Sequence, residues 1–565
     1  RMFFEPSPIL RAGEGGDKSF ANSFAPLSSS NDEDVDEEDK DNDEDDNDSV
    51  MSDDSGSVPT AGAGEGNVVT RFGRAVKNVE RLTYDVKGNP RQEFNLVGAG
   101  LGGGFINTQE LHVMKYDEVM AMPDAEEWEK AVDKEHERMV KNNVFKPTPL
   151  DEVPEDATIL TETWAMKKKA NGVFRARVTA RGYEQIDGEH FDSTEIAAPV
   201  VAEMTIHILW NLIMMALLHA QLMDVIGAFL LGHFNPKHKM YMRVPRGFEK
   251  FYPPGVVLLL ERTMYGTRQA AMAFWKKALE VMAKINMKRS NADPCLYYKW
   301  TDSGLLFWAS WVDDFLGAGQ MKDIIDSKEA IKSQMECEDA GELLEYIGCK
   351  LDKDVERRTM KITQPVLLQS LKDEFELPDR EYTIPAPAGE VLHPDNPGDE
   401  LLDPSGQTKY RSGVGKLMHM AKWSQPDILN SVRELSKFMT IPRQSHLKAM
   451  LRCMKYVVLT PDRGLVLKPN RKWDGKDKNF EFEISGMADA EYAKDTESRR
   501  SVSGYCTFLE GAVVSVKSRQ QRCVTLSTTE AEMMAMTECV QDMLYIRDVI
   551  QSLELKVKFP MIIHC

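Results

Sequence analysis

Zinc-binding and disulfide patterns are missing from this chain. Its eight cysteines run from Cys295 to Cys565 with no CxxC pair and no Cys/His cluster at zinc spacing. That leaves out a zinc knuckle and fits a reducing, intracellular setting. No apolar run reads as a membrane span either. The most apolar window, Met204 to Ala220, is broken by His207, Asn211 and His219. Within it Ile206, Leu209, Ile213, Leu217 and Ala220 recur at helical spacing, so it reads as a core helix, and no membrane partner is expected. A signal peptide is lacking, and Arg1 rather than Met opens the chain, as expected of a fragment or a processed piece. Positive charge is scarce, with a net −20 over 565 residues. Much of the deficit is local: Asn31 to Asp54 holds 15 acidic residues and one Lys, a net of −14, which leaves −6 for the rest of the −20. Basic strips, not overall charge, therefore decide any nucleic-acid binding.

Composition divides the chain. Residues 1–104 are rich in Asp, Ser, Asn and Gly with few aromatics and read as a disordered acidic linker. The acidic run either competes with nucleic acid for basic grooves or, the plainer reading, keeps other chains away. Ordered sequence begins near Trp128, where Trp128, Val132, His136 and Met139 recur every three or four residues, the mark of a helix. Strands, Gly/Asn turns and amphipathic helices then alternate irregularly, so residues 105–385 read as an α+β domain. A Pro-rich passage follows from Ile384 to Pro404, and 386–475 is mainly helical beyond it. From Phe480 the pattern is strand, strand, strand, long helix, strand, a second small domain over 478–565.

Two acidic signatures carry the chemistry. Gln221-Leu222-Met223-Asp224-Val225 ends an apolar strand in a carboxylate, and Ser310-Trp311-Val312-Asp313-Asp314-Phe315 sets a pair at the tip of an apolar hairpin, 89 residues after Asp224. Three carboxylates so delivered can converge on two divalent metals. Hard oxygen ligands of this kind suit Mg²⁺, with Mn²⁺ as the alternative. An Asp-Asp pair alone is usually only a polar hairpin tip. A second strip is basic: Trp164 to Ala170, Asn171-Gly172, then Val173 to Arg181 reads as a hairpin on a tight Asn-Gly turn. Alternation places Arg175, Arg177 and Arg181 on one face, and a two-residue turn would set Lys168 opposite Arg175. Such a ribbon suits a triphosphate or a template backbone; a solvated basic strand is the bland alternative.

The order, spacing and flanking residues of these signatures resemble the reverse transcriptase of copia-type retrotransposon polyproteins, over roughly residues 105–565. The resemblance implies a right-hand polymerase of fingers, palm and thumb, then an α/β ribonuclease H-like domain. Asp224 and Asp313 would be bridging metal ligands, the Val225 carbonyl an extra one, and Asp314 the outer partner. Phe229, five residues after Asp224, falls where the family places an aromatic gate against a 2′-hydroxyl; a plain core ring is the alternative. Arg175, Arg177 and Arg181 would cover the nucleotide. Met264-Tyr265-Gly266-Thr267-Arg268-Gln269 stands where the family usually has Leu-Tyr-Gly-Leu-Lys-Gln, which would bring Gln269 beside the nucleotide with Gly266 allowing close backbone approach. Leu343 to Cys349 and Leu351 resemble a primer-gripping hairpin, Tyr410 to Leu417 and Trp423 to Ile428 a thumb-to-connection segment, and Thr70 to Lys77 a basic tag.

In 478–565 the resemblance assigns Asp489 and Glu532 to metal-binding catalysis and leaves Glu491 and Glu530 out. The family's third carboxylate there follows the residue matching Cys565, so negligible ribonuclease H activity is expected of this polypeptide. Implied partners are an RNA template, an RNA–DNA hybrid, deoxynucleoside triphosphates and other parts of the polyprotein. The implied location is a cytoplasmic virus-like particle, with the nucleus as alternative. Two rivals stand beside an RNA-directed DNA polymerase: a non-catalytic nucleic-acid-binding remnant, and a DNA-templated polymerase.

Overall fold

The computed structural model describes residues 113–565 apart from 169–171, 235–238, 388 and 395–397, together with two short strands nearer the start. Those strands, Val68–Val69 and Ala75–Val76, pair antiparallel within the first of two units, Arg1–Thr83. Apart from those four residues, the acidic linker 1–104 and the basic tag within it lie outside the described residues. Everything below concerns the second unit, Tyr84–Cys565.

Helix α1 (Ala125–Lys141) begins where the periodicity predicts. Trp128, Ala131, Val132, Glu135 and Met139 share its buried stripe, with Glu126 and Glu127 in the first turn and Arg138 and Lys141 in the last, as the helix dipole favours. Strands β1 (Phe145–Pro149) and β2 (Ile159–Leu160) precede a two-stranded ribbon, β3 (Glu162–Lys168) and β4 (Phe174–Ala180). Helix α2 (Glu203–Ala216) is buried from Thr205 through Met215. Here the expected helix is too long. Leu217 adopts a left-handed conformation (φ 50°, ψ 46°) that ends it, and Ala220 lies in strand β5 (His219–Val225). Apolar spacing compatible with a helix simply continues into a strand, where Ala220, Met223 and Val225 are buried.

Next come β6 (Met240–Arg243), β7 (Val256–Leu260), α3 (Ala270–Lys284), β8 (Lys288–Arg289), β9 (Leu296–Thr301), β10 (Gly304–Trp311), β11 (Asp314–Gly319), α4 (Met321–Lys332) and β12 (Cys337–Glu342). Strands β1-β7-β6-β2 make one sheet, which shares a core with α1 and the ribbon. The larger sheet is antiparallel throughout, in the order β8-β9-β10-β11-β5-β12. The hairpin expected at Leu343–Leu351 forms as β13 (Glu345–Tyr346) and β14 (Cys349–Asp354), joined through Ile347 and Gly348, both at positive φ. With β15 (Thr359–Thr363), α5 (Pro365–Glu374), α6 (Pro404–Trp423), α7 (Leu429–Ser436), α8 (Gln444–Leu459) and β16 (Leu465–Leu467) the chain reaches its last domain.

That domain has β17 (Ile484–Glu491), β18 (Val502–Leu509), β19 (Ala512–Gln520), α9 (Thr528–Ser552) and β20 (Ile562–His564). Its sheet runs β19-β18-β17-β20, with only β20 parallel to its neighbour. The α+β class and the strand-strand-strand-helix-strand order both match expectation. No described helix is long and apolar enough to cross a membrane, and all eight cysteines are free thiols.

Candidate active site

The carboxylates meet through strand register. Trp311 pairs with Asp314 across a tight turn in which Val312 takes φ 56°. Asp314 then faces Asp224 across β11 and β5, while Glu338 faces Asp224 from β12 on the other side. Directly opposed residues in an antiparallel pair have Cα atoms roughly 4.5–5.5 Å apart and point to the same face of the sheet. Val225, buried, donates its backbone N–H to the Asp313 carbonyl at 3.0 Å and pins the turn to the end of β5. Glu338 escaped the sequence reading. The acidic run Cys337-Glu338-Asp339 carried a signal, but nothing in it indicated pairing with β5.

Burial and like charge act together here. Burial pushes the Asp224 carboxyl up to about 6, and the Asp313 charge adds to the effect, against the pull of Arg175 and Arg177. Asp314 is pushed up to about 8 by burial and by the charges of Asp313 and Asp224. Its Oδ2 is buried without a hydrogen-bond partner. A partly buried acid pair with an orphaned oxygen is short of positive charge, which is the condition a divalent cation relieves. Among the described residues no group of three or more His, Cys, Asp or Glu side chains is already gathered closely enough to hold a metal. Asp224, Asp313, Asp314 and the Val225 carbonyl fit such an ion in the chemistry of their oxygens, while their side chains are not gathered around one position.

The basic ribbon forms, one residue out of the expected register. Lys167, not Lys168, faces Arg175, and Lys168 faces Phe174. Lys168 instead reaches Asp124 at 3.1 Å and lies 4.3 Å from the Phe174 ring centre. Burial and the neighbouring Arg177 lower the Arg175 guanidinium from its usual value, while Asp224 draws it back. Arg177 stacks its guanidinium 5.2 Å from the Tyr265 ring centre, and its Nε is buried without a partner. Arg181 does not join them: it donates to Thr163 Oγ1 at 3.1 Å and lies 3.9 Å from Glu184.

Phe229 sits in a short 3₁₀ turn, Ala228–Leu230, half-buried and edge-on to Tyr265 with ring centres 5.7 Å apart. Its ring touches both the α1–ribbon core and the core beneath the large sheet. Gln269 precedes α3, and its amide is engaged by protein. Gln185 donates to its Oε1 at 3.0 Å, and its Nε2 donates to the His190 carbonyl at 3.1 Å. Gly266 (φ +86°) does allow a close approach, but of backbone: a Cβ there would collide with the Ala180 carbonyl oxygen. The Ala180 N–H donates to the Tyr265 carbonyl at 2.8 Å, so this contact docks the ribbon onto the sheet domain.

In the last domain Asp489 is exposed on β17 and Glu532 lies on the first turns of α9. Cys565 Sγ reaches Glu532 Oε2 at 3.6 Å, and burial, then Glu532 and Asp489, raise its thiol, so the three share one end of the sheet. Glu491 pairs with Lys494 at 2.7 Å, and Glu530 accepts the Leu526 N–H at 2.6 Å as a helix cap, so both are occupied elsewhere.

Residues 143–388 match the family described as reverse transcriptase (RNA-dependent DNA polymerase). The chain is 28% identical over 458 residues to the retrovirus-related Pol polyprotein from transposon TNT 1-94 of Nicotiana tabacum, covering 79% of this chain and 33% of that one. It is 27% identical over 453 residues to the corresponding polyprotein from transposon RE1 of Arabidopsis thaliana, covering 79% and 29%. A solved foamy viral protease-reverse transcriptase in complex with RNA/DNA hybrid superposes loosely, with TM-score 0.41 and 10% identity over 77% of this chain and 48% of that one. The chain spans about a third of the length of the curated relatives it matches. Residues 143–388 thus match the reverse transcriptase family, and the chain is similar to the Pol polyproteins of copia-type retrotransposons in the part that carries it.

Proposed function

We propose that the chain is an RNA-directed DNA polymerase whose nucleotidyl-transfer site is built from Asp224, Asp313 and Asp314. One observation carries the reading: Asp314 faces Asp224 across adjacent strands, Asp313 stands in the turn beside them, and Asp314 keeps a buried oxygen without a partner. Bound there, Mg²⁺ or Mn²⁺ would supply the charge that activates a primer 3′-hydroxyl and neutralises a leaving pyrophosphate. The protein's own share is placement. Asp224 and Asp313 hold the reacting end, Asp314 adds charge beside them, and Arg175 and Arg177 face the negative phosphates. Phe229 offers a ring to the sugar, which favours deoxynucleotides.

In this reading the ribbon and α1 belong to the fingers, the six-stranded sheet to the palm and helices α5 to α8 to the thumb and connection. Residues 478–565 are read as a ribonuclease H-like domain with Asp489 and Glu532 as its two carboxylates, and no cleavage is assigned to it. The partners are an RNA template with annealed primer and deoxynucleoside triphosphates, recognised through backbone and 2′-hydroxyl contacts with little sequence preference.

The test is extension of oligo(dT) on poly(A) with dTTP and Mg²⁺. Extension is expected, and Asp313→Asn should slow it by about a thousandfold, roughly 4 kcal/mol of transition-state stabilisation. Hybrid binding without extension would support the non-catalytic remnant instead. Extension confined to DNA templates would make the enzyme DNA-directed.

A further inference from the structure

We propose that Arg138, held by the buried carboxylate of Glu135, is a further residue that binds the triphosphate of the incoming nucleotide. The proposal rests on the polymerase reading above. Both residues lie on α1, ahead of the matched segment 143–388, so the family match assigns them nothing.

Glu135 is an unusual residue to find in the core, at 1% exposure. An ionised carboxylate so placed is costly unless paired. Its Oε2 accepts from Arg138 Nη1 at 2.7 Å, while its Oε1 is buried without a hydrogen-bond partner. A single ion pair leaves that second oxygen waiting for charge. Arg177 and Arg175 supply it at longer range, since both act with Arg138 to draw the Glu135 carboxyl down against the effect of burial. The same three guanidinium groups also act together on the Tyr265 hydroxyl. Glu135 is therefore the anchor of a three-arginine cluster drawn from two elements, α1 and β4.

The cluster adjoins the carboxylates. The Arg138 stem crosses the turn after β5: its Cδ lies 3.6 Å from the point where a Cβ on Gly227 would stand. Gly227 (φ +65°) is three residues past Asp224 and two before Phe229, so Arg138 runs over the link between the metal-ligand candidate and the gate candidate. Arg175 in turn feels the attraction of Asp224 and the repulsion of Arg138. The guanidinium groups thus answer to carboxylates from two elements, Glu135 on α1 and Asp224 on β5.

This charge order suits an extended polyanion tethered at one end. The reacting phosphate belongs at Asp224 and Asp313, where the carboxylates take a divalent cation. The outer phosphates then extend toward the guanidinium groups, whose planar forks suit phosphate oxygens. With Asp224 given to the cation, Glu135 alone against three guanidinium groups leaves a surplus of positive charge for that purpose. Arg138 keeps about a third of its side chain exposed, enough to reach a ligand while bonded to Glu135. In this scheme Glu135 is a positioning residue and touches no substrate.

The experiment uses the full chain on poly(A)/oligo(dT), with Arg138→Ala, Arg138→Lys and Glu135→Gln beside the unmodified protein. Arg138→Ala should raise KM for dTTP and the inhibition constant for pyrophosphate together, each by about tenfold to a hundredfold. Its kcat and its Kd for primer–template should stay within about threefold. Arg138→Lys, which keeps the charge and the pairing with Glu135, should recover part of the loss. Glu135→Gln should shift KM in the same direction by a few-fold.

Unchanged KM and pyrophosphate inhibition in Arg138→Ala, alongside an active unmodified protein, would overturn this assignment alone. A weakened primer–template Kd with unchanged KM would overturn it in favour of a template-backbone contact. No extension by the unmodified protein would overturn it together with the polymerase reading.

Discussion

At Asp314 a single side chain links folding, metal and pH. The folded, metal-free protein holds that proton up to about pH 8, whereas an unfolded aspartate releases it near 3.8. The folded carboxyl is thus raised, so its contribution to stability is fully present below pH 3.8 and is lost as pH rises toward about 8. Asp224, raised to about 6, acts in the same direction over a lower window. A divalent cation binds the ionised form and should restore what ionisation removes. Saturating Mg²⁺ is therefore expected to raise the melting temperature by a few degrees more at pH 8 than at pH 6. Asp314→Asn should flatten that difference, and scanning calorimetry at the two pH values measures it. Equal Mg²⁺ shifts at both pH values would refute the account. Phe229 poses a different question, because it is a core ring and a gate candidate at once. As a gate, Phe229→Val should lower discrimination against ribonucleotides by about tenfold or more in competitive extension. As core alone, it should lower only the melting temperature. The sequence exposed the three acids and the ring through their offsets. It did not expose Glu338 or the Glu135–Arg138 pair, whose significance depends on packing between distant elements.

The ribbon shows how an element can be legible and still be misregistered. Lys and Arg flanking Asn171-Gly172 announced a hairpin, and a two-residue turn centred there would have set Trp164 opposite Thr179 and Met166 opposite Arg177. The structure instead pairs Trp164 with Val178 and Met166 with Ala176, apolar against apolar and all four buried. A slip of one residue would have set buried side chains against polar ones, and that cost outweighs a turn preference. The information was present in the alternation, in the residues the turn signal overshadowed. Leu217 is the converse case, where nothing local marks the end of α2 and tertiary packing decides. Docking of the ribbon hangs on Gly266, whose left-handed backbone lets the Ala180 carbonyl pass close by. Gly266→Ala is expected to destabilise the protein by about 2–4 kcal/mol, from strain at positive φ added to a backbone collision. Urea unfolding measures the loss, and a change within about 0.5 kcal/mol would mean that the approach is not needed.

Across the whole second unit, α2 sets the terms. An ordinary surface helix shows one apolar stripe, but α2 is buried from Thr205 through Met215, so it must be covered on every side. The large sheet covers one face, and the last domain packs against another. His207 Nδ1 bonds the Val514 carbonyl at 2.8 Å, Thr205 Oγ1 meets the Tyr545 hydroxyl at 2.8 Å, and Asp293 takes the Thr205 hydroxyl at 2.7 Å. Burial keeps His207 neutral by lowering its imidazole from the ordinary value, so this junction is hydrogen-bonded without a charge on that ring. One apolar cluster runs from Val201 through the sheet strands to Val549 and Val557, a shared core rather than two cores in contact. The sequence showed 478–565 as a separate pattern of strands and helix. It hid the docking, because the residues that make it look like any core helix; only His207 and Asn211 within an apolar run hinted at a partner. A shared core should unfold as one body. The chain is therefore expected to melt residues 113–565 in a single transition, and deletion of 478–565 should leave a fragment that aggregates on expression, because α2 then faces water with a broad apolar surface. Calorimetry on the whole chain and a solubility comparison with the deletion test this. Two resolved transitions, together with a soluble 1–477 fragment, would show that the remaining core closes over α2 without the domain that follows it.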